Sequence, residues 1–180
     1  MNKYIAFIRA INVGGHNKIK MDDLKKLFGL LGYKNVQTVI QSGNVIFETP
    51  EKSVAVITTK IEKKLSEFMK KDIKVFVRTH LELSKLVKQN PFGKIESDDK
   101  TGTYVFFLAK EPKNKVKIPN LSSTGEINVF KKIGLHLFVL VRKIPGKASS
   151  PNAPVEKKFG VPATARNWNV VCKIVEKASM

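Results

Sequence analysis

The ten residues Arg9-Ala10-Ile11-Asn12-Val13-Gly14-Gly15-His16-Asn17-Lys18 hold the chain's densest set of groups able to recognise an anion. Arg9 and Lys18 supply positive charge, Asn12 and Asn17 supply amides, and His16 brings a ring able to act as a proton carrier. Gly14-Gly15 admits backbone conformations closed to other residues and lets main-chain N–H groups approach a ligand closely. A second cluster, Gln41-Ser42-Gly43-Asn44, offers a hydroxyl and two amides to a phosphate, sugar or base, although the same residues are ordinary turn chemistry. Arg166 and Asn167 form a third, at the entry to the last helix, where Asn167 equally suits a helix cap.

Other chemistries find no support. The glycine stretch matches neither GxxxxGK[ST] nor GxGxxG. His16, His80 and His136 lack metal-ligand spacing, and the single Cys172 lies on the apolar stripe of a helix. No serine, histidine and aspartate set assembles, so neither a metal nor a cofactor is expected and no catalytic residue is assigned.

The elements that must position these groups are legible as periodicity. Tyr4 to Ile8 reads as a buried strand, and Met21, Leu24, Leu27, Phe28 and Leu31 share one face of a helix stopped by Gly32. Val36 to Ile40 and Val45 to Glu48 form a hairpin around Gln41 to Asn44. After Pro50 a second helix presents Val54, Ile57, Ile61, Leu65 and Phe68, and Lys74 to Arg78 adds a strand. This βαββαβ order is that of a ferredoxin-like subdomain over residues 1–79. With right-handed crossovers the first and second strands run parallel and the third returns between them. The Arg9 to Lys18 stretch and the Gln41 to Asn44 turn then meet at one edge of the sheet.

Residues 80–180 read as a second α+β subdomain ending in an amphipathic helix. Thr79 and Glu82 have capping-box spacing before a helix from about His80 to Gln89. Thr103 to Leu108 is a strand, and Glu126 to Phe130 pairs with Leu135 to Arg142 around a turn at Lys131 to Gly134. Ala109 to Thr124 is a long basic connection, Ile144 to Pro154 a loop rich in Pro, Ser and Ala, and Val155 to Phe159 a short helix. The last helix runs from about Asn167 to Lys177 with Trp168, Val171, Cys172 and Val175 inward. First-half strands apolar on both faces need a second cover, so the expected fold is α+β, its ferredoxin-like half packed against the second in antiparallel or mixed sheets.

At 180 residues, 42% hydrophobic and 27% charged, the chain has the composition of an ordered protein. A formal charge of +18 favours an acidic partner, yet it is spread evenly and carried by 29 Lys against four Arg, which dilutes the case for specific nucleic-acid recognition. No apolar run approaches the roughly 20 residues of a membrane helix. A lone cysteine and the absence of a leader-like start point to the cytoplasm. The expected guest is a phosphorylated small molecule or nucleotide; the competing reading is a non-enzymatic nucleic-acid-binding module with a diffuse lysine surface.

Taken together, Arg9 to Lys18, Gln41-Ser42-Gly43-Asn44-Val45 and Ala163-Thr164-Ala165-Arg166-Asn167-Trp168-Asn169 resemble the bacterial family of domain of unknown function 1697. The resemblance spans nearly the whole chain. It implies a compact α+β protein with ferredoxin-like elements and brings no established activity. Members of that family often have glycine where this chain has Ala10, and Pro151 departs from a family stretch that Lys147 to Asn152 otherwise resembles.

Overall fold

A computed structural model describes residues 1–12, 18–40, 43–95, 97–122, 125–142 and 152–180. The chain divides into two compact units, Met1–Leu86 with Ile174–Met180, and Val87–Lys173. The sequence reading drew its boundary after residue 79 and left the C-terminus with the second half. Both sheets are antiparallel, so the architecture is α+β.

In the first unit, β1 (Asn2–Ile8), β2 (Lys34–Val39), β3 (Asn44–Thr49) and β4 (Val75–Thr79) lie in the order β2-β3-β1-β4. Phe7 of β1 stands opposite Asn44 of β3 and Phe76 of β4. Helices α1 (Met21–Leu30) and α2 (Val54–Met69) connect the strands. Alternation in the strands sends Tyr4, Ala6, Ile8, Val45, Phe47, Val75 and Val77 into one core with Leu24, Phe28, Ile57, Ile61 and Leu65 of the helices. The α1 stop is a Schellman turn: Gly32, at φ +79°, donates to the Gly29 carbonyl while Tyr33 N–H reaches that of Phe28. Helix α2 starts on a cap in which Val56 N–H donates to Ser53 Oγ at 3.3 Å. Helix α3 (His80–Gln89) begins as its capping residues foretold, with Glu82 N–H donating to Thr79 Oγ1 at 3.1 Å.

Phe68 departs from its expected inward place and is 49% exposed. It falls in the last turn of α2, beyond the buried stripe that ends at Leu65.

The aromatic cluster under the sheet contains one misfit. Tyr33 stacks on Phe47 at 4.7 Å and is buried, yet its hydroxyl has no hydrogen-bond partner among the described residues. Burial, and secondarily Glu51, pushes its phenol pKa up. Tyr33→Phe removes an unsatisfied polar atom while keeping the ring. It should stabilise the protein by about 1 kcal/mol, seen as a melting point roughly 2–4 °C higher; a lower melting point would show that the hydroxyl is satisfied in solution.

The second unit contains β5 (Thr101–Leu108), β6 (Asn120–Leu121), β7 (Ile127–Ile133), β8 (His136–Arg142) and β9 (Ala163–Asn167), ordered β6-β7-β8-β5-β9, with α4 (Asn152–Phe159). Helix α5 (Trp168–Ser179) follows β9 and ends among residues of the first unit. Phe106, Leu108, Val129, Leu137, Val139, Val155 and Phe159 form the core of the second unit.

Three expectations need correction here. Strand β9 replaces the expected helix entry, because Ala163 to Asn167 pair along β5 from Leu108 to Tyr104. The Lys131 to Gly134 turn is shorter than expected: a register shift between Val129 and Lys131 lets β7 continue to Ile133. On α5 the deeply buried stripe is Val171, Ile174, Val175 and Ala178, while Cys172 is half-buried. Among the described residues no helix is long and apolar enough to cross a membrane.

Candidate functional site

At the end of β1 the chain turns sharply, and the described parts of the two polar stretches touch there. Ile8 N–H donates to the Gly43 carbonyl at 2.8 Å, and Arg9 N–H donates to that of Lys74 on the other side at 2.9 Å. Gly43 sits at φ +72°, so close to the loop that an added Cβ would lie 2.7 Å from Ile11 Cγ1 and 3.0 Å from the Ile8 carbonyl oxygen. The expected meeting of loop and hairpin therefore holds for residues 8–11 and 43–44. Gly14, Gly15, His16, Asn17, Gln41 and Ser42 lie outside the described residues, as does most of the Lys147 to Pro154 segment.

Beyond β1 the backbone enters the left-handed region twice, at Ala10 (φ +54°) and Asn12 (φ +55°), with the buried Ile11 between them. Position 10 is thus one that glycine occupies without strain, which accounts physically for the glycine that the resemblance puts there. Asn12 pairs with the far side of the loop. Its Nδ2 donates to the Ile19 carbonyl at 3.0 Å and its Oδ1 accepts from Ile19 N–H at 2.9 Å. This two-bond clamp ties Asn12 to Ile19 at the neck of the loop, so the Asn12 amide is engaged with backbone.

Outside the neck lies a cleft of about 860 Å³ lined by Asn12, Lys18, Lys20, Asp22, Asp23 and Phe68, among others. Lys18 and Lys20 are exposed. Lys20 is the N-cap of α1 and gives it no side-chain cap, so the first-turn amides lack that partner. Asp22 and Asp23 oppose the two lysines and already suit the helix dipole. Sequence reasoning missed Lys20 and Phe68. The lysine lies two residues beyond the stretch singled out, whereas Phe68 was hidden by its helical spacing.

Asn44 faces inward. It is fully buried, and its Nδ2 donates to the Val39 carbonyl at 3.0 Å, locking the hairpin. Arg166 and Asn167 belong to the second unit and lie on β9 opposite Val105 and Tyr104. Arg166 Nη1 donates to Thr164 Oγ1 at 3.0 Å and to the Ala165 carbonyl at 2.8 Å; burial brings its guanidinium pKa down to about 10, so it stays cationic at neutral pH. Asn167 Oδ1 accepts from Asn169 N–H at 3.0 Å and caps α5.

Remaining reactive groups have structural settings. Arg78 is buried, with Nε 3.7 Å from Glu82 Oε1, and burial lowers its pKa. His136 is buried with Nδ1 3.1 Å from the Ile133 carbonyl, and burial raises the Cys172 thiol pKa, away from the nucleophilic thiolate. Among the described residues no three metal-ligating side chains gather.

Comparison with known proteins agrees with this architecture. No curated protein matches the chain. The solved structure of conserved bacterial protein SP0830 from Streptococcus pneumoniae superposes with a TM-score of 0.68 at 19% identity, covering 98% of each chain, which establishes a shared fold. The model of the family described as protein of unknown function (DUF1697) matches residues 1–138, a span that holds the Arg9 and Gln41 motifs and stops short of the Arg166 motif. By that match the chain belongs to the DUF1697 family.

Proposed function

We propose that the first unit is a ferredoxin-like subdomain that binds a phosphorylated small molecule or nucleotide, in the cytoplasm, at the rim where β1, the α1 N-terminus and the hairpin turn meet. The strand order β2-β3-β1-β4 with two connecting helices supports the topology. The observation carrying the ligand reading is the cleft that holds Lys18 and Lys20 at an α1 start without a side-chain cap. If a reaction occurs there, these groups position substrate and stabilise charge; the described residues lining the cleft include no serine, cysteine or histidine to make a paired nucleophile and base.

Calorimetric titration with inorganic phosphate, pyrophosphate and nucleoside phosphates tests this reading. One of them should bind saturably, and Arg9→Ala and Lys18→Glu should each weaken it by roughly ten-fold or more, since charge-assisted hydrogen bonds contribute about 1.5–3 kcal/mol. Asn44 is unsuited to this test because its removal disturbs the hairpin itself. No binding across the panel, or binding unchanged in both variants, would refute the assignment. Polynucleotide binding that falls steeply with salt would instead favour the diffuse lysine surface.

A further inference from the structure

The second unit contains a pocket of about 430 Å³ between the residues that follow α3 and the start of α5. Its described lining carries no charge: Asn90, Ser97, Thr103 and Asn169 supply polar groups, and Phe92 and Trp168 supply an aromatic wall with ring centroids 5.4 Å apart. We propose that this pocket binds a nucleobase, held by its hydrogen-bonding edge.

The hydrogen-bond inventory supports that guest. Thr103 N–H donates to Ser97 Oγ at 3.0 Å, and the two hydroxyls are 2.8 Å apart. Whichever hydroxyl donates in that pair, one O–H hydrogen is left with no acceptor among the described residues. Thr103 is 2% exposed and Ser97 half-buried, so the pair is best satisfied with Thr103 donating and the Ser97 O–H left for water or for a guest in the pocket. Asn90 spends its Nδ2 on the Gly93 carbonyl at 3.0 Å and keeps its Oδ1 as an acceptor. The Asn169 side chain makes no hydrogen bond among the described residues, leaving a donor and an acceptor side by side.

An adjacent donor and acceptor on an amide match the edge of a base, as in asparagine pairing to adenine, and the hydroxyl adds a donor for a ring nitrogen or carbonyl. The volume suits a base with its ribose. Arg166 shares the strand face with Thr103 by register, but its guanidinium is turned back to Thr164 and the Ala165 carbonyl, so the described lining suits a neutral moiety. The proposal is independent of the anion site, because a nucleoside carries no phosphate.

Trp168 is the chain's single tryptophan, so its fluorescence reads this pocket alone. Titration with adenosine, guanosine, cytidine and uridine, excited at the red edge of tryptophan absorption, should give a saturable change with at least one of them and none with glucose or ribose. Asn169→Ala, at an exposed position, and Thr103→Val should each weaken the response roughly ten-fold, the loss of about one hydrogen bond. Arg9→Ala should leave it intact, which separates failure here from failure of the anion site. No response to any nucleoside, an equal response to monosaccharides, or undiminished binding by Asn169→Ala would overturn the proposal.

Discussion

The Gly43→Ala protein should melt about 5–15 °C below the parent chain, the steepest stability loss expected from so small a change. Two costs add at this position. A left-handed backbone disfavours any Cβ by about 1–2 kcal/mol, and Gly43 is held at φ +72°. The methyl would also press on the Ile8 carbonyl oxygen at 3.0 Å and on Ile11 Cγ1 at 2.7 Å. Ile11 is buried and the Ile8 carbonyl belongs to β1, so neither yields cheaply, and overpacking costs about 1–3 kcal/mol more. Gly32→Ala is the control. Its φ of +79° is as demanding, but nothing lies within 4 Å of its added Cβ, so it should lose only the backbone share, roughly 2–6 °C. Equal losses in the two variants would mean that the loop and the hairpin do not press on one another. Gly43→Ala should also blunt the response to phosphate at temperatures where it stays folded.

Elements whose signal is local were legible before any coordinates. The stripe Leu24, Leu27 and Phe28, the cap at Thr79 and the branched runs of β1 and β3 each dictate their own conformation, and chain order limits how four such strands can be arranged. Illegible features depend on partners distant in sequence. Ala163-Thr164-Ala165-Arg166-Asn167 has little strand propensity, and it is extended because β5 offers it a free edge. Phe68 keeps the spacing of a core residue, but spacing does not reveal where the buried stripe ends. The same limit governs the site. Asn12 and Asn44 were singled out because amides recognise ligands, yet an amide serves a backbone equally well, and both do so here, to Ile19 and to Val39. What was legible is the approach of the hairpin to the end of β1, carried by Gly43; the partner of each amide was not.

That distinction gives Asn12 the second large expected effect, and a local one. If its amide is a clamp, its loss should first be felt at Ile19, whose N–H it holds and whose side chain is 6% exposed. Asn12→Gly preserves the left-handed backbone while removing both hydrogen bonds, together about 2 kcal/mol. Hydrogen exchange at the Ile19 amide should then accelerate roughly 30-fold, with little change at amides of β1 such as Ile5. Asn12→Ala adds the penalty of a Cβ at φ +55° and should exchange faster still. Asn12→Asp keeps an acceptor for Ile19 N–H but sets a carboxylate against the Ile19 carbonyl, so protection should fall between parent and glycine variant. A graded order of Asn, Asp, Gly and Ala identifies a clamp. Unchanged exchange at Ile19 in the glycine variant would show that the loop neck is held by something else. Phosphate affinity should fall from Asn to Gly to Ala, because an opened neck lets Lys18 and the α1 N-terminus drift, and a charged pocket rewards only groups already held in place. Asn12→Asp, which sets a carboxylate in the cleft lining, should weaken phosphate beyond its effect on exchange.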